Sequence, residues 1–162
     1  MKRKMLLGVI MIMGALLLVQ NVLAIETPKG WKMVPSDGEN SANYEPVDAS
    51  GDDVIVMVLP LFPANGMNAA ATLKDFAESA DSFSLKNSDA IIEQDNRAIM
   101  RVRPEWDKGR GQMVFIAWPV GKEQMRMVGF YIKDDEALHK RYQKTAEEII
   151  ETQYAEDMAK QK

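Results

Sequence analysis

The sequence predicts an α+β domain, an antiparallel sheet of about six or seven strands with a helix on each face, that is, an α/β/α sandwich. Three observations carry this. Residues 112–118 and 124–132 are strand-length apolar runs on either side of a Pro/Gly turn at 119–123, a hairpin pattern. The first run, Met113-Val114-Phe115-Ile116-Ala117-Trp118, is apolar at consecutive positions. A strand with one wet face alternates instead, so this hairpin needs cover on both sides. Two amphipathic helical stretches, 68–83 and 134–153, lie far apart in the chain and can supply that cover from opposite faces.

In chain order, residues 1–24 are expected to stand outside the fold. Lys2, Arg3 and Lys4 form a positive start, 5–19 is apolar and uncharged, and Val22-Leu23-Ala24 puts small or aliphatic residues where a signal peptidase reads. The reading is an exported protein, periplasmic or secreted, cut after Ala24. The apolar stretch is shorter than the roughly 20 residues of a membrane-spanning helix, and polar Gln20 and Asn21 follow it. An uncleaved anchor is the alternative; after cleavage no membrane insertion is expected.

The first strand reads from Trp31 to Val34 and the second, at an edge, from Ala42 to Glu45. Turn-rich residues separate them. Residues 54–59 are a continuous, largely β-branched strand. A loop at 60–67 precedes Asn68, whose side chain can cap the next helix. In that helix Leu73, Phe76, Ala77, Ala80 and Phe83 form the apolar stripe. Residues 90–94 form a strand, Asp95-Asn96 a tight hairpin turn. The return strand puts Ala98, Met100 and Val102 on one face and Arg97, Ile99, Arg101 and Arg103 on the other. A charged loop at 104–111 leads into the central hairpin. Asp134 and Asp135 suit the start of the last helix, whose stripe is Leu138, Tyr142, Thr145, Ala146, Ile149 and Ile150. The domain is read as 25–154, with 155–162 a frayed polar tail.

Three features together resemble the family of the photosystem II extrinsic protein PsbP and the Ran-binding Mog proteins, with their small exported bacterial relatives. They are the opening Pro28-Lys29-Gly30-Trp31, strand 54–59 leading through a proline-containing loop into helix 68–83, and the long meander closed by helix 134–153. The resemblance is one of element order and patterning over nearly all of the mature chain. It implies the α/β/α sandwich, and action by binding other proteins rather than by catalysis. No functional residue of the family falls on a matching position.

Charge narrows the function. The full chain carries a formal −4, and loss of three positive and no negative charges with residues 1–24 takes it to −7. A protein of that sign is a poor nucleic-acid binder, because phosphate contact needs a basic surface. The absence of cysteine removes disulfides and thiolate metal sites. His139 is the only histidine and sits beside Lys140 and Arg141, as on a solvated helix face. Met100, Met113, Met125 and Met127 fall on neighbouring strands and are read as core filling rather than Cu(I) ligands. Acid pairs such as Asp52-Asp53, Asp134-Asp135 and Glu147-Glu148 lack calcium-loop spacing. No catalytic residue, metal site or cofactor is assigned.

The working surface is placed at the 103–111 loop. Trp106 is set among Glu105, Asp107, Lys108 and Arg110, with Arg101 and Arg103 on the flanking strand, and Trp and Arg are enriched at binding hot spots. Leu61 and Phe62 form a second, apolar candidate. The leading expectation is a non-catalytic protein-binding or accessory module whose partner is an envelope protein. The alternatives are a periplasmic enzyme with carboxylate chemistry and a small-molecule or metal carrier using the cavity between sheet and helix.

Overall fold

The fold is built on the central hairpin, seen in a computed structural model that describes residues 25–38, 40–79, 88–103, 105–106 and 109–160. The expected signal and its cut after Ala24 lie outside the described residues. The strands are β1 (Trp31–Pro35), β2 (Ala42–Pro46), β3 (Val54–Val58), β4 (Phe62–Pro63), β5 (Ile92–Gln94), β6 (Arg97–Val102), β7 (Glu105–Trp106), β8 (Gly109–Val120) and β9 (Gln124–Lys133). The helices are α1 (Ala69–Ser79) and α2 (Glu136–Ala159). Among the described residues the sheet runs β1-β2-β3-β9-β8-β6-β5, and the strand pairs are antiparallel. Two-residue strands flank this path: β4 pairs with β9, and β7 with β8.

The hairpin forms as its sequence demands. Nearly every position of β9 is buried, which a half-solvated strand would not allow. Successive strand side chains point to opposite faces, and the core divides accordingly. Val128, Phe130 and Ile132 join Val54, Val56, Val58 and Trp118 beneath Tyr142, Ala146, Ile149 and Ile150 of α2. Met125, Met127 and Tyr131 join Met100, Met113 and Phe115 around Leu73 and Ala77 of α1. The four strand methionines are core residues, as their pattern predicts. Gly129 lies opposite both Met57 and Phe115. A Cβ there would approach Met57 Cε to 2.8 Å, so glycine is what lets those two side chains meet over the strand.

The local signals hold. Asn68 Oδ1 accepts the Ala71 N–H at 2.8 Å and caps α1. Asp95 and Asn96 both have positive φ, 50° and 64°, as a two-residue hairpin turn requires. Asp135 caps α2 through the Leu138 N–H at 3.1 Å. Ala80 and Phe83 of the α1 stripe lie outside the described residues.

Five expectations need correction. β2 is not at an edge: it sits between β1 and β3, because β1 pairs along its whole length. The 119–123 turn is confined to 121–123, since Pro119 and Val120 continue the ladder opposite Met125 and Gln124. The 60–67 loop contributes β4. The 104–111 loop is partly a strand turn, with Glu105 opposite Arg110 and Trp106 opposite Gly109. Finally, the helix does not fray at 155. It continues to Ala159, and Gln153 and Asp157 are fully buried beneath its last turns.

Candidate functional site

Two polar features lie on the side of the sheet that α2 covers, one closed and one open. The closed one is centred on Arg126, opposite Trp118 in the β8–β9 ladder. Asp157 accepts from Arg126 Nε at 3.0 Å and Nη2 at 3.3 Å, from Trp118 Nε1 at 3.1 Å and from Gln153 Nε2 at 3.1 Å. Arg126 Nη1 donates to the carbonyls of Asn40 and Leu59 at 2.9 and 2.6 Å. Both charged side chains are fully buried. A buried ion is tolerated only when paired and hydrogen-bonded, and this one is. The cluster ties the last turn of α2 to β9 and to two loops from the first half of the chain. Tyr44 is buried on the same side, and its hydroxyl is pushed up to about 12 by burial and by the nearby charge of Glu156.

The open feature is a shelf. α2 packs over β3, β9 and β8, so β6 and β5 extend past its main contacts. One cross-strand row shows the result. Val58 faces Val128, Val128 faces Ile116, Ile116 faces Ile99 and Ile99 faces Ile92. Val58 and Val128 are 1% and 0% exposed, Ile116 and Ile99 are half-buried, and Ile92 is 47% exposed. The core row thus emerges from under the helix and ends in water at the sheet edge.

Between this floor and α2 runs a groove of about 150 Å³. Ile99, Arg101, Gln112 and Ile116 line its floor; His139, Gln143 and Glu147 line its helix wall. These wall residues recur every four positions, one face of a helix. His139 Nδ1 and Gln143 Oε1 are 3.3 Å apart, as a ring N–H donating to the amide oxygen. Two residues before Ile99 on β6, Arg97 donates to Glu151 at 2.6 Å and lies 4.5 Å over the Tyr154 ring. Arg103, two residues after Arg101, is bound at 2.7 and 3.2 Å by Asp89. That bond, with the charges of Arg103 and Arg101, holds the Asp89 carboxyl below the usual carboxylate range. The Arg101 carbonyl accepts the Asp89 N–H at 2.8 Å, but among the described residues its guanidinium has no hydrogen-bond or ion-pair partner.

The sequence candidates separate. Arg101 faces the groove, and Arg103 is engaged by Asp89. Arg110 is exposed, and its carbonyl accepts the Asp134 N–H at 3.0 Å. Trp106 is placed by its backbone, opposite Gly109; its side chain and the whole of Lys108 lie outside the described residues. Leu61 and Phe62 are half-buried elsewhere. Phe62 pairs with Met125 and packs against the α1 cluster, beside a cleft of about 310 Å³ that Met67 and Phe76 also line. It shares no surface with Arg101. A third cleft, of about 430 Å³, collects Asn68, Glu93, Arg97, Lys122 and Gln124 where the turns meet the start of α1.

Sequence reasoning placed His139 on a solvated face and passed over Gln112 and Ile92; helix and sheet bring His139 and Gln112 to one groove, and register puts Ile92 opposite Ile99 of its floor. It also passed over Arg126 and Asp157. Among the described residues no group of three or more His, Cys, Asp or Glu side chains has metal-site geometry, and no helix is long and apolar enough to cross a membrane. Comparison of the chain with known protein families, with characterised proteins and with solved structures finds no match.

Proposed function

We propose that this chain is an exported, non-catalytic protein-binding module of the cell envelope, freed by cleavage after Ala24 and folded as an α/β/α sandwich of the PsbP/Mog-like kind. The single observation that carries the binding reading is the apolar row that leaves the core and ends at exposed Ile92. A large β-branched residue in water at an open sheet edge is the kind of surface a partner covers. The division of β9 side chains between the α1 and α2 clusters supports the sandwich. Carboxylate chemistry has less to support it. The carboxyls held below their usual range, Asp48 and Asp89, belong to surface pairs with Tyr142 and Arg141 and with Arg103, which account for them structurally.

The test is crosslinking and co-purification of the protein from its native envelope, compared with an Ile92→Asp variant. Ile92 is half in water, so the variant should melt within a few degrees of the parent. The expected result is a defined partner crosslinked by the parent and lost with Ile92→Asp. An unchanged crosslinking pattern would sink the reading. Recovery of the leader in the mature protein, by N-terminal sequencing, would sink the cleavage.

A further inference from the structure

We infer that the groove beside α2 takes an extended segment of a protein partner, and that it selects a carboxylate side chain through Arg101 next to an apolar side chain over Ile99. This rests on the protein-binding reading above.

The argument begins with the arginines. β6 presents three of its side chains, Arg97, Ile99 and Arg101, to the α2 side, with Arg103 following just beyond the strand. Arg97 is consumed by Glu151 and the Tyr154 ring, and Arg103 by Asp89. Arg101 is half-buried in a concave site and has no such partner among the described residues. A guanidinium offers five donors in a planar fork suited to a carboxylate. Beside it on the groove lies the Gln112 amide, while the Gln143 amide is taken up along the helix wall, accepting from the His139 ring and donating to Glu147 at 2.9 Å. Glu147 is the one acid on the groove wall, and Asp89 lies just outside, held by Arg103. An acidic side chain entering the groove meets the Arg101 guanidinium, with Glu147 as the opposing charge on the wall.

Geometry specifies the segment. Ile99 and Arg101 are two residues apart on one strand, about 6.8 Å by the rise of an antiparallel strand. Alternate side chains of an extended peptide have that same spacing and face the same way. A segment laid along β6 with an apolar residue at one position and Asp or Glu two residues on would seat both. Next to β6 the three residues of β5 are exposed, and among the described residues no further strand pairs beyond β5.

The probe is a capped hexapeptide with valine at its second position, glutamate at its fourth and serine elsewhere. Its counterparts carry glutamine or lysine at the fourth position. Binding to the purified protein is followed through backbone amide shifts. The expected result is that the glutamate peptide binds at least about tenfold more tightly than the glutamine peptide, the scale of a charge-assisted hydrogen bond. The shifts should centre on Ile99, Ile116 and Gln143. Arg101→Gln should erase the preference with little change in melting temperature, since among the described residues the guanidinium makes no hydrogen bond or ion pair and acts on Asp89 only through its charge. Glu147→Gln should strengthen it.

Equal binding of glutamate and glutamine peptides, or a preference that survives Arg101→Gln, would overturn the carboxylate assignment and leave the Ile92 surface standing on its own crosslinking result. Binding of none of the peptides would overturn it in the same way. Acetate shifting the same amides at the same concentration as the hexapeptide would replace the peptide with a small carboxylate. Concentration-dependent shifts of these amides without any probe would assign the groove to a second copy of the chain.

Discussion

Arg126 and Arg101 lie on the same side of the same sheet, two strands apart, and meet opposite fates. Arg126 is fully buried, and each nitrogen of its guanidinium donates a bond: to Asp157, to the Asn40 carbonyl and to the Leu59 carbonyl. Arg101 is half-buried and, among the described residues, its guanidinium donates to nothing. The helix decides the difference. α2 crosses the sheet so that its last turn comes down on β9, and on β6 it engages Arg97 but not Arg101. Where the helix covers an arginine, it brings a carboxylate and a glutamine of its own. Where it does not, the arginine borders an open groove. The contrast separates a charge used to hold the fold from a charge available to something else.

The largest expected effect tests the closed side. Asp157→Ala strands the buried Arg126 and leaves Trp118 Nε1 unpaired, and should cost about 4 kcal/mol of stability in urea denaturation. If it costs no more than Arg101→Gln, the distinction between the two arginines is lost. Leu73→Ala supplies an apolar benchmark from the α1 cluster, where Leu73 is fully buried. It should cost about 3 kcal/mol, and so rank the buried ion pair against ordinary packing. Tyr44 sharpens the closed side by pH. Its folded value is raised from 10.0 to about 12 by burial and by Glu156. The contribution is therefore complete below pH 10 and lost as pH rises through about 12. Alkaline titration should show a falling stability limb over that window, absent in Tyr44→Phe. Asn68→Ala removes the α1 cap and should cost about 1 kcal/mol. Arg101→Gln closes the series, with a change within about 0.5 kcal/mol despite its expected effect on peptide selection.

Much of the fold was legible because it follows from period. The unbroken apolar run of 113–118, the alternation of 97–103 and the stripes of the two helices each name an element and a face. Element ends were less legible. The 155–162 segment is polar in composition, which reads as a tail. Yet Tyr142, Ala146, Ile149, Ile150, Gln153 and Asp157 continue one stripe at steps of three and four, and Arg126 interrupts an apolar strand with a charge that needs a partner. Both signals were passed over, and nothing in the sequence says that the two residues meet 31 positions apart. The site was less legible still. Arg101 was named, but its groove depends on which strands α2 leaves uncovered, and that follows from sheet order. Ile92 falls in a short polar-looking stretch, and only the register Ile92–Ile99–Ile116 shows it to be the end of a core row.

The sheet order also bears on how the chain assembles in time. β1, β2 and β3 neighbour one another in sequence and can pair as soon as they exist, whereas β3 meets β9 across more than half of the domain, Val56 opposite Phe130. Such pairing must close a long loop before it returns any contact energy, which slows folding. The Arg126 carbonyl contacts to Asn40 and Leu59 then join, and Asp157 arrives last of all in synthesis order. An amino-terminal meander therefore waits with its β3 edge unpaired until β9 and α2 have emerged, and this interval is when the chain is most exposed to aggregation.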